Sequence, residues 1–547
     1  ISRWLFYPSI QNVGYAGSAS GRMLLLRRRF FMSKNIAKVF SAELQGIEAR
    51  LVEVEVDINV GLHSFNIVGL ADKALNEAKE RVNAALKNSG VKPPNKENRR
   101  ITVNLAPADL HKTGSQYELA IGIGYLLATG QVKSFDASRS IFAGELALHG
   151  TTRPILGALN IVRMAQRLGF TTVYVPHENA REAALVHGIT IIPVPSITAL
   201  LHHIEERTLL TPASPLAFTP EDVFPVDISE IKGQSAAKRA MLVAAAGGHH
   251  LLMSGSPGAG KTMMAQALLS LFPPLSLEEA IEITQIYSAA GILPSHSFLR
   301  ARPFRSPHHT ASPISVIGGG SHPKPGEISL AHHGILFLDE LPEFRRDLLE
   351  SLRQPLESGR VHVARIKHSL TFPARFTLVA AMNPCPCGYY GDEVHACRCG
   401  GFEVIRYQKK ISGPLLDRID IQLSVPRVDL RELRIKKGEV KGDAHNEGNT
   451  MRAAVAQARA LQAARFARAK LPLRLNSEMS SKQVEAHSAL DASAERFLTS
   501  ALDSRVSARG YYRILKIART IADLHASEHV TADHLAEAFQ YRVRESV

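Results

Sequence analysis

Gly255-Ser-Pro-Gly-Ala-Gly-Lys-Thr262 decides how this chain is read. It follows an apolar run, Leu251-Leu-Met253, and precedes the helix-compatible Met263-Met-Ala-Gln-Ala-Leu-Leu-Ser270. Strand, glycine loop, helix is the context that a phosphate-cradling P-loop requires. Gly255, Ser256, Pro257, Gly258, Ala259 and Gly260 would close backbone N–H groups around phosphates, and the helix would aim its positive end at them. Lys261 would reach the β- and γ-phosphates of ATP, and Thr262 would hold Mg²⁺.

A second run, Gly334-Ile-Leu-Phe-Leu-Asp-Glu340, is apolar and ends in two carboxylates. Buried parallel strands read as continuous apolar runs, and α/β sites lie at the carboxyl ends of such strands. Asp339 would then face Mg²⁺, and Glu340 would polarise the attacking water. A third run, Phe376-Thr-Leu-Val-Ala-Ala-Met-Asn383, ends in a polar amide, and Leu415-Leu-Asp-Arg-Ile-Asp420 follows later. With these motifs in this order, the chain resembles the AAA+ ATPases of the clade that holds magnesium-chelatase ATPase subunits and replicative MCM helicases. The resemblance implies that Asn383 is the sensor-1 residue. It implies that Arg418 is an arginine finger reaching a neighbouring subunit's nucleotide. In Ser507-Ala-Arg509-Gly-Tyr-Tyr-Arg513 it implies a sensor-2 residue, Arg509 first and Arg513 second. An arginine beside a transferring phosphoryl group offsets developing charge.

The bulk numbers agree with a globular protein. Hydrophobic content is 45% and charged content 21% in 547 residues, enough for three domains. No apolar stretch approaches the roughly 18 residues that span a bilayer, so no membrane partner is expected. A net charge of +14 favours an acidic partner, nucleic acid first. Residues 1–31 carry five arginines and no acid; this leader is read as translated sequence upstream of a true start at Met32, with a transit peptide as the alternative, because domain sequence begins just after Met32. All four cysteines lie between 385 and 399, which points away from a disulfide-stapled secreted protein and toward a reducing cytoplasm.

From Ala37 strand-like runs (Ala49–Val56, Arg100–Leu105) alternate with helix-like ones (Ala71–Asn88, Tyr117–Thr129). This predicts an α/β or α+β first domain over 32–207. Four prolines within 208–225 predict a linker. The nucleotide-binding core is expected over 226–425 and a mostly helical region over 426–547. The first domain resembles the proteolytic domain of Lon, through Asn104-Leu-Ala-Pro-Ala-Asp-Leu-His-Lys-Thr-Gly114 and Gly144-Glu-Leu…Arg153-Pro-Ile-Leu-Gly157. Lon cuts peptides with a Ser–Lys pair. Here the serine position falls on Gln116, beside Ser115, and the lysine position on Asn160. Neither amide can be nucleophile or base, so the domain is expected to be a degenerate, structural one.

Lon-like α+β domain, AAA+ parallel-sheet core and helical C-terminal lid, an α/β fold overall, resemble the ComM/YifB family, often labelled magnesium-chelatase-like. The likeness also rests on Phe304-Arg-Ser-Pro-His-His-Thr310, Asn383-Pro-Cys-Pro-Cys-Gly388 and Ala518-Arg-Thr-Ile-Ala-Asp-Leu524. It implies a homo-hexameric, ATP-driven DNA helicase that drives branch migration during uptake of transforming DNA. Gly359-Arg-Val-His-Val-Ala-Arg-Ile-Lys-His-Ser-Leu-Thr371 alternates with period two and would turn near Ile366. By resemblance it is a hairpin pointing into the ring channel, where Arg360, Arg365, Lys367 and His368 would meet single-stranded or branched DNA. Gly318–Lys324 is a candidate second pore loop, and Met451–Lys470, with five basic residues and no acid, a candidate second DNA surface. Cys385, Cys387, Cys397 and Cys399 can supply a tetrahedral S₄ zinc site, although C-x-C is a less common spacing than C-x-x-C; His395 is an alternative ligand. Two other readings stay open: a chelatase-like motor that remodels a protein partner, and an ATP-dependent protease.

Overall fold

The computed structural model describes residues 36–70, 73–96, 98–294, 298–320, 323–364, 369–427, 441–501 and 507–542. The leader 1–31 lies outside the described residues, and so do Arg365, Lys367 and His368 of the hairpin. The fold is mixed α/β with a helical C-terminal region.

The N-terminal unit opens with β1 (Ile36–Gln45), β2 (Glu48–Val60), β3 (Ser64–Val68), β4 (Arg99–Ala106) and β5 (Ser140–Phe142). A small hairpin, β6 (Glu145–Leu146) and β7 (Thr152–Arg153), precedes β8 (Thr172–Pro176) and β9 (Thr190–Val194). Seven strands form one sheet in the order β3-β4-β2-β1-β5-β8-β9. In β2, Val52, Val54, Val56 and Ile58 are buried while Glu53, Glu55 and Asp57 are not, the period-two signature of a strand with one apolar face. Helices Lys73–Asn88 and Glu118–Thr129 cover the face bearing Val54 and Val56. Helix Ala158–Arg167 covers the opposite face, over Ala42, Ile141 and Val173.

The second unit holds β10 (Leu251–Ser254), β11 (Phe304–Arg305), the short pair β12 (Gly318–Gly319) and β13 (Lys324–Pro325), β14 (Ile335–Leu338), the hairpin β15 (Arg360–Ala364) and β16 (Ser369–Pro373), β17 (Thr377–Met382) and β18 (Ile421–Ser424). Five of them make a wholly parallel sheet, β11-β14-β17-β10-β18. Its central strands are unbroken apolar runs because both faces are covered. Leu251, Met253, Ile335, Phe337, Val379 and Ala381 face one layer. Leu252, Leu336, Leu338, Leu378 and Ala380 face the other. The first layer also contains helices Ser235–Gly247, Lys441–Arg468 and Ala508–Leu524, so the C-terminal helices share the core of the sheet.

Two expectations change in detail. Residues 208–225 contain no helix or strand, yet Ala213, Leu216 and Phe218 pack on the N-terminal core, so the segment is held along its path. The basic residues of Met451–Lys470 mostly turn inward. Arg459 donates to the Ala245 carbonyl at 2.9 and 2.6 Å, Arg452 pairs with Asp227 at 2.8 Å, and Arg465 pairs with Asp523. Three of the five cations are therefore occupied in holding the helix to the core, which weakens this helix as a DNA surface.

Candidate nucleotide site

The parallel sheet gathers the candidate residues at its carboxyl edge. β10 ends at Ser254 and the chain passes over the neighbouring strand so closely that a Cβ at Gly255 would lie 2.2 Å from the Val425 carbonyl oxygen. Only glycine allows that approach. Gly258 and Gly260 take φ of 79° and 85°, and helix Lys261–Leu268 starts at once. The loop is thus a backbone cradle opening on a helix N-terminus, a fit for the phosphates of ATP.

Lys261 folds over the loop. Its Nζ donates to the carbonyls of Gly255 at 2.7 Å and Ser256 at 3.1 Å, and to Asn383 Oδ1 at 3.1 Å. Burial lowers its pKa from the ordinary lysine value, and the nearby Asp339 carboxylate works against that shift. Thr262 Oγ1 donates to Asp339 Oδ2 at 2.9 Å, so the hydroxyl and carboxylate that would hold Mg²⁺ are adjacent. Asp339 Oδ1 accepts the Glu340 backbone N–H at 2.9 Å. Glu340 sits at φ 50°, ψ 46°, a left-handed conformation uncommon outside glycine. That turn leaves its carboxylate 57% exposed beyond the strand end. The P-loop, Asp339, Glu340 and Asn383 are therefore brought together.

Arg418 and Arg509 are not at this edge. Arg418 precedes β18, whose register with β10 (Leu251↔Ile421) puts it at the amino edge of the sheet. It donates to the Pro414 carbonyl at 2.6 Å and to Glu357 Oε1 at 2.6 Å, and Arg509 approaches the same oxygen at 3.7 Å. A cleft of about 870 Å³ opens here, lined by Glu357, Arg509, Arg513 and Lys516. Arg513, the second sensor-2 candidate, is taken up elsewhere: it donates to the Arg418 carbonyl at 2.9 Å and pairs with buried Asp420.

The four cysteines converge. Sγ separations are 3.3 Å for Cys385–Cys387, 3.7 Å for Cys385–Cys397 and 3.6 Å for Cys387–Cys397, and all four sulfurs lie within 4.8 Å of one another. The amides of Arg398 and Tyr389 pull the Cys387 thiol down to about 6. His395 is instead stacked on Tyr389 and 3.0 Å from Arg427.

At the positions read from the sequence as counterparts of the Lon dyad, Gln116 Nε2 donates to Glu43 at 2.9 Å and to the Thr113 carbonyl at 2.8 Å. Asn160 Nδ2 donates to the Ile47 carbonyl at 2.6 Å and to the Gln285 carbonyl at 3.3 Å, within the packing of the first unit on helix Leu277–Ala290. Ser115 hydrogen-bonds Glu145, and the buried Lys112 donates to the Pro107 carbonyl. Both amides serve as structural ties.

Sequence reasoning missed three residues. His309 Nδ1 lies 3.6 Å from Glu340 Oε2 and can orient that carboxylate. Glu357 holds both arginines. Asp392 accepts from the Ser256 hydroxyl and from the His395 and Val394 amides, which hold its carboxyl down at about 2. His309 lay within a segment already singled out; the other two carry no local pattern.

The family pattern described as "Magnesium chelatase, subunit ChlI" matches residues 227–433, "Subunit ChlI of Mg-chelatase" matches 54–179, and "Magnesium chelatase, subunit ChlI C-terminal" matches 445–542. The chain is 40% identical over 516 residues to the competence protein ComM of Haemophilus influenzae, covering 93% of this chain and 97% of the relative. It is 40% identical over 498 residues to YifB of Escherichia coli (strain K12), covering 91% and 95%. A magnesium-chelatase 38 kDa subunit of Rhodobacter capsulatus is 28% identical over 179 residues, 30% of this chain and 51% of that one. This chain belongs to the ComM/YifB family of magnesium-chelatase-like AAA+ ATPases.

Proposed function

We propose that the protein is an ATP-hydrolysing ring motor, formed by six copies of the chain, that moves along or unwinds DNA. The observation that carries the ring is the division of the site. Lys261, Thr262, Asp339, Glu340 and Asn383 lie at the carboxyl edge of the sheet, whereas Arg418 and Arg509 lie at the amino edge. The strands between them span roughly 13 Å at ~3.3 Å per residue. Arg418 is better placed for a neighbour's γ-phosphate than for its own. Its Nε is buried and has no hydrogen-bond partner among the described residues.

In this reading ATP supplies the phosphoryl group and Mg²⁺ neutralises its charge. Lys261 and the loop amides bind the phosphates, and Thr262 with Asp339 holds the metal. Glu340 accepts a proton from water, oriented by His309, while Asn383 positions that water. Arg418 and Arg509, from the adjacent copy, stabilise developing charge. Cys385, Cys387, Cys397 and Cys399 hold a structural zinc ion.

The DNA assignment is supported by the hairpin β15–β16 before sensor 1, by Arg360 on its first strand, and by the net charge of +14. Arg365, Lys367 and His368, between its two strands in the sequence, belong to the proposed grip. A relative covering nearly the whole chain is named a competence protein. The match to a chelatase subunit favours, as second reading, a motor that remodels a protein. ATP turnover of the purified protein, measured with and without single-stranded and forked DNA, decides between them. Strong stimulation by DNA is expected; turnover indifferent to both DNAs overturns the DNA reading.

A further inference from the structure

We infer that the four-cysteine loop, once closed on zinc, is a brace for the nucleotide site, so that zinc occupancy sets the rate of ATP turnover. This rests on the nucleotide and zinc readings above. Between Met382, the last residue of β17, and helix Gly401–Gln408 the chain forms no helix or strand. Something other than a backbone ladder must fix its path. Two structures do so.

The first is the sulfur cluster. Zinc–sulfur bonds of ~2.3 Å at tetrahedral angles give sulfur–sulfur edges of about 3.8 Å. The separations of 3.3, 3.7 and 3.6 Å approach that figure. They are far beyond the ~2.05 Å of a disulfide. Four thiolates this close repel one another unless a cation lies between them, and thiolate softness favours zinc.

The second is the contact with the P-loop. Asn383, which accepts from Lys261, is two residues before Cys385. Gly388, one residue after Cys387, rests against Pro257: a Cβ there would lie 2.7 Å from its ring atoms, and φ is +86°. Asp392 then accepts from the Ser256 hydroxyl while its Oδ1 takes the Val394 and His395 amides at 2.9 Å. The loop thus touches the phosphate cradle at Pro257 and Ser256 and begins at sensor 1. Fixing its sulfurs fixes the separation of Asn383 from Lys261. Asp392 and Gly388 are positioning residues: they touch the loop, not the reacting atoms.

The test uses the full-length protein. Elemental analysis should find about one zinc per chain, and cobalt exchanged into the protein should give a tetrathiolate absorption spectrum. Zinc removal by a thiol-reactive mercurial followed by reductant should cut kcat roughly tenfold, with the thermal melt retained, and added zinc should restore it. Cys397→Ser should lose metal and turnover together. Asp392→Ala should keep its zinc and still lose several-fold in kcat, with a smaller change in KM. Protein that binds no zinc, or binds iron instead, overturns the metal assignment. Zinc-loaded protein whose kcat is unchanged both by demetallation and by Asp392→Ala keeps the metal and overturns the brace. Zinc-loaded wild-type protein with no ATP turnover at all overturns the motor reading instead.

Discussion

Arg418 is ion-paired to Glu357 at 2.6 Å on the edge of the sheet opposite the P-loop. Arg418 is only 7% exposed, and Glu357 also draws in Arg509 at 3.7 Å. One carboxylate therefore holds two cations next to an open cleft, where an incoming phosphate would compete for both. This geometry predicts action between copies. Arg418→Ala and Lys261→Ala should each abolish turnover alone. Mixed, they should recover a fraction of it, at interfaces that join an intact cradle to an intact arginine. Analytical ultracentrifugation with ATP and Mg²⁺ should show a ring; a fully active monomer would falsify the assignment. Glu357→Gln should keep the ring and alter kcat, since the arginines lose their resting partner.

Lys261 and Glu340 should fail differently. Lys261 bonds the loop carbonyls and Asn383, so Lys261→Ala removes a phosphate partner and should weaken nucleotide binding in a fluorescent-ATP titration. Glu340 lies beyond the strand end, with its backbone N–H donating to Asp339 Oδ1 at 2.9 Å. Glu340→Gln should bind ATP normally and turn it over 10²-fold or more slowly, roughly the worth of general base catalysis. Wild-type turnover in Glu340→Gln would move the base elsewhere, with His309 the next group to examine.

Much of this site is written locally. A P-loop declares itself because every residue of Gly255–Thr262 is constrained by one short backbone path. β10, β14 and β17 declare themselves because both faces are buried, and each ends one residue before the group it delivers: Gly255, Asp339 and Asn383. What was not legible is long-range pairing. Glu357 lies 61 residues from Arg418 and more than twice as far from Arg509, so no spacing rule joins them. Asp392 meets Ser256 across the sheet edge in the same way. The inward turn of Arg452, Arg459 and Arg465 was invisible for a related reason: a long helix with few acids reads as a solvated basic face until its neighbours are known.

Asp420 should be a keystone for the C-terminal helices. It is fully buried between Arg513, on helix Ala508–Leu524, and His249, which also contacts Thr520 at 2.8 Å. Burial alone would raise its carboxyl pKa, but Arg513 and His249 outweigh that and hold it well below the usual range. A depressed folded pKa contributes stability that is present above the unfolded value near 3.9 and is lost as pH falls through the folded value. Asp420→Ala leaves the buried His249 and the part-buried Arg513 without their partner, and should cost about 3–5 kcal/mol in a denaturant melt at neutral pH. The mutant should also lose part of the acid sensitivity that the wild type shows below about pH 4. A loss under 1 kcal/mol would show that the lid docks without this pair.

No peptidase activity is expected. Gln116 is committed to Glu43 and the Thr113 carbonyl, and Asn160 to carbonyls of Ile47 and Gln285. Casein incubated with the protein, ATP and Mg²⁺ should remain intact. The nearby Ser115 hydroxyl meets a carboxylate, Glu145, and the buried Lys112 is turned to the Pro107 carbonyl. ATP-dependent cleavage that disappears in Ser115→Ala would nevertheless revive the protease reading.

The DNA grip is expected at the hairpin. β15 and β16 are paired from Arg360↔Pro373 to Ala364↔Ser369, and Val361 and Phe372 bury the base of the hairpin in the core. A firmly seated hairpin base is what a phosphate grip needs, because the stroke must pass from the sheet to the strand being moved. Reversing Arg365 and Lys367 to glutamate should leave basal ATP turnover near the wild-type value, since the hairpin is separate from the Lys261 cradle. Stimulation by single-stranded DNA and unwinding of forked DNA should both fall tenfold or more. Wild-type binding should weaken steeply with salt, with a log–log slope of roughly −0.7 per phosphate neutralised on single strands, and show little sequence preference. A double mutant that unwinds forks as well as the wild type places the grip elsewhere. Met451–Lys470 would be a weak successor with three of its cations already paired, so the glycine loop around Gly318–Lys324, whose Gly318, Gly319 and Gly320 all take positive φ, is the segment to test next.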